Sequence, residues 1–240
     1  MKDIYDCHKD LLGFFADFER YKEEDLTESD TRSKIIDKLF TEVLDWDENS
    51  IDREGYVVEG LYDYLFSIPG FQFIVEAKRN FVDFIIPNKH KAVTIGTFAK
   101  ENKDVVDQIR RYLFEKGLQY AVITNGHQFI IGKFCNTDGS DWKHNKCLIF
   151  NGHEDISERF MSFYNILSKN SISQNSGFKI FLEEAIQREG KTILSIIPAN
   201  DSELVRNSIS SELTPIIDKL FGELYDIDDE VNKTYRRMFY

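Results

Sequence analysis

Asp63, Glu76 and Lys78 are residues whose types and spacing suit a reaction. They sit in two apolar-rich stretches, 61–66 and 71–78, separated by Ser67-Ile-Pro-Gly70, a composition that predicts a β-hairpin. Glu76 and Lys78 are two apart on the second strand. The pleat therefore turns both, with Ile74, to one face, and Val75 and Ala77 to the other. Paired carboxylates on a sheet can share a divalent cation, which neutralises charge on phosphoryl oxygens during phosphodiester hydrolysis. Mg2+ accepts one or two carboxylates and completes its shell with water and phosphate. A lysine beside that water helps to deprotonate or orient it and stabilises the transition state. The competing reading makes Asp63 a polar edge-strand residue and Glu76–Lys78 a solvated pair of small energetic weight, since Glu-x-Lys recurs by chance in strands.

The elements that must position these groups are legible around them. Thr27-Glu-Ser-Asp30 has the form of a capping box, and Ile35, Ile36, Leu39, Phe40, Val43 and Leu44 then recur at helical spacing until Asp45-Trp-Asp-Glu48. Glu28, Arg32, Ile35 and Leu39 share one stripe of that helix, so the Glu28 carboxylate is expected on the face toward the sheet, able to join the acidic pair. A first-turn acid also favours the helix dipole with no further role. Residues 101–116 predict a second helix, with Val105, Val106, Ile109 and Leu113 inward and Gly117 ending it. Gln108 and Tyr112 lie four apart on its flank, placed for a bound phosphate or base, or for a half-buried hydrogen-bonded pair. Strands over 118–124 and 128–134 flank Asn125-Gly126, a hairpin signal.

In order, Glu28-x-Asp-x-Arg32-x-x-Ile-Ile36, Asp63, Val-Glu76-Ala-Lys78-Arg79, Gln108-Ile-Arg-Arg111-Tyr112 and Ile123-Thr-Asn-Gly126 resemble the PD-(D/E)XK nuclease superfamily. The likeness is greatest to the N-terminal nuclease domain of type I restriction enzyme motor subunits and related phage-defence effectors, over residues 27–152. It implies an α/β fold of restriction-endonuclease type, with a mixed central sheet flanked by helices. It also implies that Asp63, Glu76 and Glu28 hold Mg2+, with Mn2+ as a substitute, and that Lys78 is the catalytic lysine. Gln108 and Tyr112, with Arg32, Arg79 and Arg111, would face nucleic acid. The activity implied is metal-dependent endonucleolytic hydrolysis of DNA in restriction or phage defence. Two departures stand out: Tyr62 precedes Asp63 where the pattern has proline, and no Gly-x-x-x-x-Gly-Lys-Ser/Thr occurs, so the helicase motor of full restriction subunits is not in this chain.

Composition bounds the rest. Of 240 residues, 42% are hydrophobic and 14% aromatic, enough for a sizeable core. No stretch approaches a membrane span and the N-terminus lacks the form of a signal peptide, so the expected setting is cytoplasmic with no membrane partner. Cys7, Cys135 and Cys147 are widely spaced and the five histidines form no paired-ligand pattern, which argues against structural zinc and a disulfide framework. A net charge of −12 opposes strong autonomous DNA binding. Only 75–150 is net basic, with 12 Lys and Arg against 8 Asp and Glu, so DNA is the expected partner of that segment. A further domain or protein is expected to target it, and self-association is also compatible.

Residues 1–26 predict a helical arm that packs without doing chemistry. Residues 153–240 predict a mainly helical appendage: a stripe of Ile156, Phe160, Met161, Tyr164 and Leu167, a polar linker over 168–177, apolar runs at 178–186 and 192–197, and a long segment broken at Pro215. Ile-Ile-Asp-Lys-Leu-Phe occurs at 35–40 and again at 216–221, a coincidence of two amphipathic helices, because no second acidic hairpin accompanies it. Two rivals to the DNA endonuclease remain: a catalytically silent module that binds nucleic acid or assembles a complex, and a nuclease for RNA or for a particular nucleic-acid structure.

Overall fold

The hairpin expected around Ser67–Gly70 forms near one edge of a seven-stranded mixed sheet, as seen in a computed structural model that describes residues 2–18, 21, 24–58, 60–86, 91–175 and 177–190. Helix α1 (Ile4–Phe18) is followed by α2 (Glu28–Thr31), which runs on through wide π turns at Arg32–Ile36 and Leu39–Val43. Strands β1 (Ile51–Val57), β2 (Gly60–Ile68) and β3 (Phe71–Ala77) form an antiparallel meander. After β4 (Ala92–Thr94) come helices α3 (Ile95–Glu101) and α4 (Lys103–Lys116). Strands β5 (Tyr120–Thr124), β6 (Gln128–Lys133) and β7 (Lys146–Asn151) complete the sheet in the order β1-β2-β3-β5-β6-β7-β4. Among the described strands only β3 and β5 pair in parallel, and the connection between them carries β4, α3 and α4. Helices α5 (His153–Glu158), α6 (Phe160–Leu167), α7 (Lys169–Asn175) and α8 (Gly177–Gly190) follow.

Both faces of the sheet are covered, which gives an α/β protein with helical layers. On one face Tyr64, Phe66, Phe73, Val75 and Phe129 pack with Leu39, Phe40, Phe163 and Phe178. On the other, Ile74, Ala121, Ile123 and Ile130 pack with Phe98, Val106, Ile109 and Leu113. The alternation read from β3 holds: Val75 and Ala77 enter the first core, Ile74 the second. Residues 1–191 cluster as one compact unit, and Phe178, Leu182 and Ala185 of α8 belong to the same core as the hairpin.

Several local expectations hold. Thr27 caps its helix, its side chain accepting from the Asp30 N–H at 3.0 Å. Gly117 takes a left-handed φ of 68° at the end of α4, and the Asn125-Gly126 loop joins antiparallel β5 and β6. Others are corrected. The helix expected over 101–116 is broken at Asn102, whose Nδ2 donates to the carbonyls of Phe98 and Ile85. The polar linker over 168–177 is mostly helical, because Ser168 Oγ accepts from the Ser171 N–H, Ser171 Oγ donates to the Asn165 carbonyl and Ile172 is buried. Met161, expected on the inward stripe of α6, is exposed. The readings for 192–240, including Pro215 and the repeated hexapeptide, lie outside the described residues. Among the described residues no helix is long and apolar enough to cross a membrane.

Candidate functional site

The hairpin register decides which side chains meet. The β2–β3 ladder runs from Ile68↔Phe71 to Tyr64↔Val75, so the next step sets Asp63 opposite Glu76. Directly opposed residues on one face bring their Cβ atoms within about 5 Å. On the other side of β2, the pairing with β1 skips this level, between Arg53↔Tyr64 and Gly55↔Tyr62. Glu54, at the skipped position, has a left-handed φ of 55°, a strained conformation for a residue with a Cβ. Beyond it the pleat is interrupted: Tyr62 packs in the second core, whereas Tyr64 and Phe66 pack in the first. Gly55 is needed there, since a Cβ on it would lie 1.9 Å from the Tyr62 hydroxyl oxygen. Tyr62, standing where the resemblance has proline, is buried and donates to Asp52 Oδ2 at 2.6 Å, so the distortion next to Asp63 is anchored by a tyrosine and a glycine.

Glu76 is 1% exposed. Its Oε1 accepts from Lys78 Nζ at 2.7 Å, while its Oε2 is buried with no hydrogen-bond partner among the described residues. Burial, and then the Asp63 charge, push the Glu76 carboxyl up to about 8 against the opposing pull of Lys78. Asp63 is raised as well, chiefly by burial, although the Ala77 N–H donates to its Oδ2 at 2.7 Å and Arg32 Nη1 donates to its Oδ1 at 2.9 Å. Burial draws the Lys78 ammonium down, but the charge and hydrogen bond of Glu76, with Glu28 and Asp63 behind them, outweigh it and leave the ammonium above its ordinary value. Glu28 is half-buried, and its charge bears on Asp63, Glu76 and Lys78 together.

Helix α4 extends this cluster. Lys78 Nζ donates to Gln108 Oε1 at 3.2 Å, and Gln108 Nε2 donates to the Tyr112 hydroxyl at 2.9 Å. Glu76, Lys78, Gln108 and Tyr112 thus form one continuous chain. Tyr112 is 4% exposed, so its hydroxyl acts inward, orienting the Gln108 amide. At the end of β3, the Lys78 N–H donates to the Thr124 carbonyl at 2.8 Å, which fixes the lysine backbone against β5.

The arginines expected to face nucleic acid are placed differently from one another. Arg32 bridges Asp63 and Glu54, the latter at 2.5 Å, and its side chain is 18% exposed. Arg79 bonds the Leu26 carbonyl and the Asp25 carboxylate. Arg111 is exposed on α4, in a groove shared with Asp107, Gln108 and Phe114. Glu54 and Thr31, for which local pattern offers no signal, also shape the site, as does Thr124 of the Ile123–Gly126 motif. Glu54 holds Arg32, Thr31 Oγ1 accepts from the Asn80 N–H at 3.1 Å and so ties the segment after Lys78 to α2, and Thr124 receives the lysine backbone. Capping and periodicity carry no signal for such long-range pairings.

The donor set fits a hard divalent cation in one respect and strains it in another. Two opposed carboxylates, one with an orphaned buried oxygen, match the way Mg2+ is held by one or two carboxylates, water and phosphate. Yet among the described residues no three His, Cys, Asp or Glu side chains stand close enough to enclose a metal by themselves. No family model matches the chain, and comparisons with curated proteins and with solved structures also find no match.

Proposed function

We propose that this chain is a metal-dependent phosphodiesterase of PD-(D/E)XK type that cuts DNA internally, with Asp63 and Glu76 as metal ligands, Glu28 as an auxiliary acid and Lys78 as the catalytic lysine. The observation that carries this reading is the Glu76 carboxylate, buried beside Asp63 with one oxygen on Lys78 and the other without a partner among the described residues. A desolvated acid left half satisfied costs stability, and such costs cluster where chemistry is done. A divalent ion bound there would neutralise phosphoryl charge and acidify a water. The chain's own residues supply the rest. Lys78, held by Glu76 and Gln108, presents a cation where negative charge accumulates in the transition state. Gln108, oriented by Tyr112, keeps the ammonium from folding away.

The hairpin, the helix α4 and the parallel β5 follow in the order the resemblance implies, which supports a restriction-endonuclease-like core, with the helices after β7 as its appendage. The restriction or defence setting rests on the resemblance alone. Targeting by another domain or partner follows from the acidic balance outside residues 75–150. A silent nucleic-acid-binding or assembly module is favoured by one observation: Arg32 already pairs with Asp63.

Supercoiled plasmid incubated with Mg2+, Mn2+ or chelator, using wild type and Lys78→Ala, separates these readings. Metal-dependent nicking that Lys78→Ala loses is the expected result. Wild type that shifts DNA in a gel without cutting it would favour the silent module. Equal cutting by both proteins would show that the site is wrongly placed.

A further inference from the structure

The proposed site would read phosphate alone, yet a cleft at the same end of the strands, beyond the C-termini of β3 and β5, has the makings of a base reader. It has a volume of about 460 Å3 and lies where β5 turns into β6 and where β7 ends. Adjacent strands are about 4.8 Å apart, so two steps across the sheet from Glu76 reach β6 at roughly 10 Å, about three steps of a stacked nucleic-acid strand.

Four rings line the cleft. Phe81 is 52% exposed, which is unusual for a phenylalanine and leaves a face for stacking. The other three are Phe18, His127 and His153, and the His153 ring is fixed by stacking on Phe15 at 4.1 Å and by an edge contact with Phe18 at 4.2 Å. The charged side chains of the lining are acidic. Asp83 is exposed, its Oδ1 held by His127 Nε2 at 3.0 Å, and Glu154, in the first turn of α5, is the other carboxylate of the lining. Among the described residues that line it there is no lysine or arginine. A second, independent sign of a missing ligand is Asn80, two residues beyond Lys78. It is 7% exposed and lines the cleft, and its Oδ1 is buried with no hydrogen-bond partner among the described residues.

This chemistry selects its occupant. With Asp83 and Glu154 and no lysine or arginine among the described lining residues, that lining disfavours phosphate, while aromatic faces with hydrogen-bond acceptors suit a neutral planar ring that carries donors. We infer that the cleft takes a single unpaired nucleobase bearing an exocyclic amine, presented by the strand whose phosphate lies at Asp63 and Glu76; the inference rests on the phosphodiesterase reading. A carboxylate accepting from cytosine N4 is the simplest such contact, and thymine, with no amine, is disfavoured. A base can enter between rings only after leaving its stack, so the substrate class is single-stranded or locally opened nucleic acid.

The test is fluorescence anisotropy of the full chain, in chelator, with labelled oligo-dC and oligo-dT of equal length and with a duplex. The expected result is about tenfold tighter binding of oligo-dC than of oligo-dT, with the duplex weakest. Phe81→Ala, at an exposed position that leaves the core intact, should lower oligo-dC affinity about tenfold, and Asp83→Asn with Glu154→Gln should erase the preference. Equal binding of the two oligonucleotides, tighter binding of duplex, absence of binding or an unchanged Phe81→Ala variant would each overturn the cleft assignment. A parallel cleavage assay with Mn2+ keeps the two ideas apart. Preference without cleavage would leave the cleft standing and remove the phosphodiesterase, whereas cleavage without preference would remove only the cleft.

Discussion

At the turn end of the β2–β3 hairpin, Phe66 and Phe73 are cross-strand partners whose rings stack with centroids 5.0 Å apart, and Phe40, Trp46 and Phe178 close around them. Three residues away along the same two strands, the opposed positions are held by Asp63 and Glu76, both with carboxyls raised by burial. One end is apolar and fully packed; the Trp46 Nε1–H there finds the Leu167 carbonyl at 2.8 Å. The other end keeps a buried oxygen without a hydrogen-bond partner among the described residues, near a backbone residue of positive φ. The same ladder thus carries stabilisation at one end and unfavourable desolvation at the other. Stiffness at the turn end is what allows like charges to be held together at the far end, since neither strand can slip without exposing its aromatic residues.

The comparison is broken most severely by Phe73→Ala, which should cost about 3–5 kcal/mol in urea denaturation because the side chain is fully buried in aromatic contacts. A smaller loss would mean that the turn end is not the anchor. Lys78→Ala should leave the fold intact by circular dichroism while slowing the proposed metal-dependent cleavage by a factor of about 10²–10³, in the range for removal of one preorganised charge. Glu76→Gln sharpens the contrast in the opposite direction. The folded carboxyl at about 8 lies above its usual 4.5, so the folded state holds the proton more tightly than the unfolded chain does. That contribution is present below pH 4.5 and is lost as pH rises toward 8. In chelator, wild type should therefore lose about 1–3 kcal/mol more than Glu76→Gln between those limits, measured by thermal melts across pH. Parallel pH profiles would show that Glu76 is not strained in the folded protein. The smallest effect is expected from Trp46→Phe, about 1–2 kcal/mol, because the Leu167 carbonyl then loses its donor while most ring packing survives.

Much of the site was legible because it is local. Glu76 and Lys78 share a face through the two-residue period of a strand, Thr27 caps through a three-residue reach, and Gln108 meets Tyr112 through one helical turn. The turn signal at Pro69-Gly70 was enough to fold β2 onto β3 and so to oppose Asp63 with Glu76. Strand β1 left no comparable trace: Ile51–Val57 mixes charge, glycine and one aromatic residue, and it becomes a strand by pairing with β2. The stripe of Glu28, Arg32, Ile35 and Leu39 assumed regular 3.6-residue turns. The π turns at 32–36 and 39–43 change the angle between successive side chains, and Arg32 is delivered onto Asp63 while Ile35 packs with Phe18 and Leu26.

The amino-acid order by itself determined which residues are carboxylates, where the chain turns and which faces of each strand and helix are apolar, because these follow from periods of two and 3.6 and from the conformational limits of proline and glycine. Only the tertiary structure decided that Glu76 would be desolvated beside Asp63, that Arg32 and Glu54 would flank them, and that Gln108 would take the lysine. Those outcomes depend on contacts between segments tens of residues apart, and it is the burial those contacts create, absent from any local pattern, that sets the charge on each group.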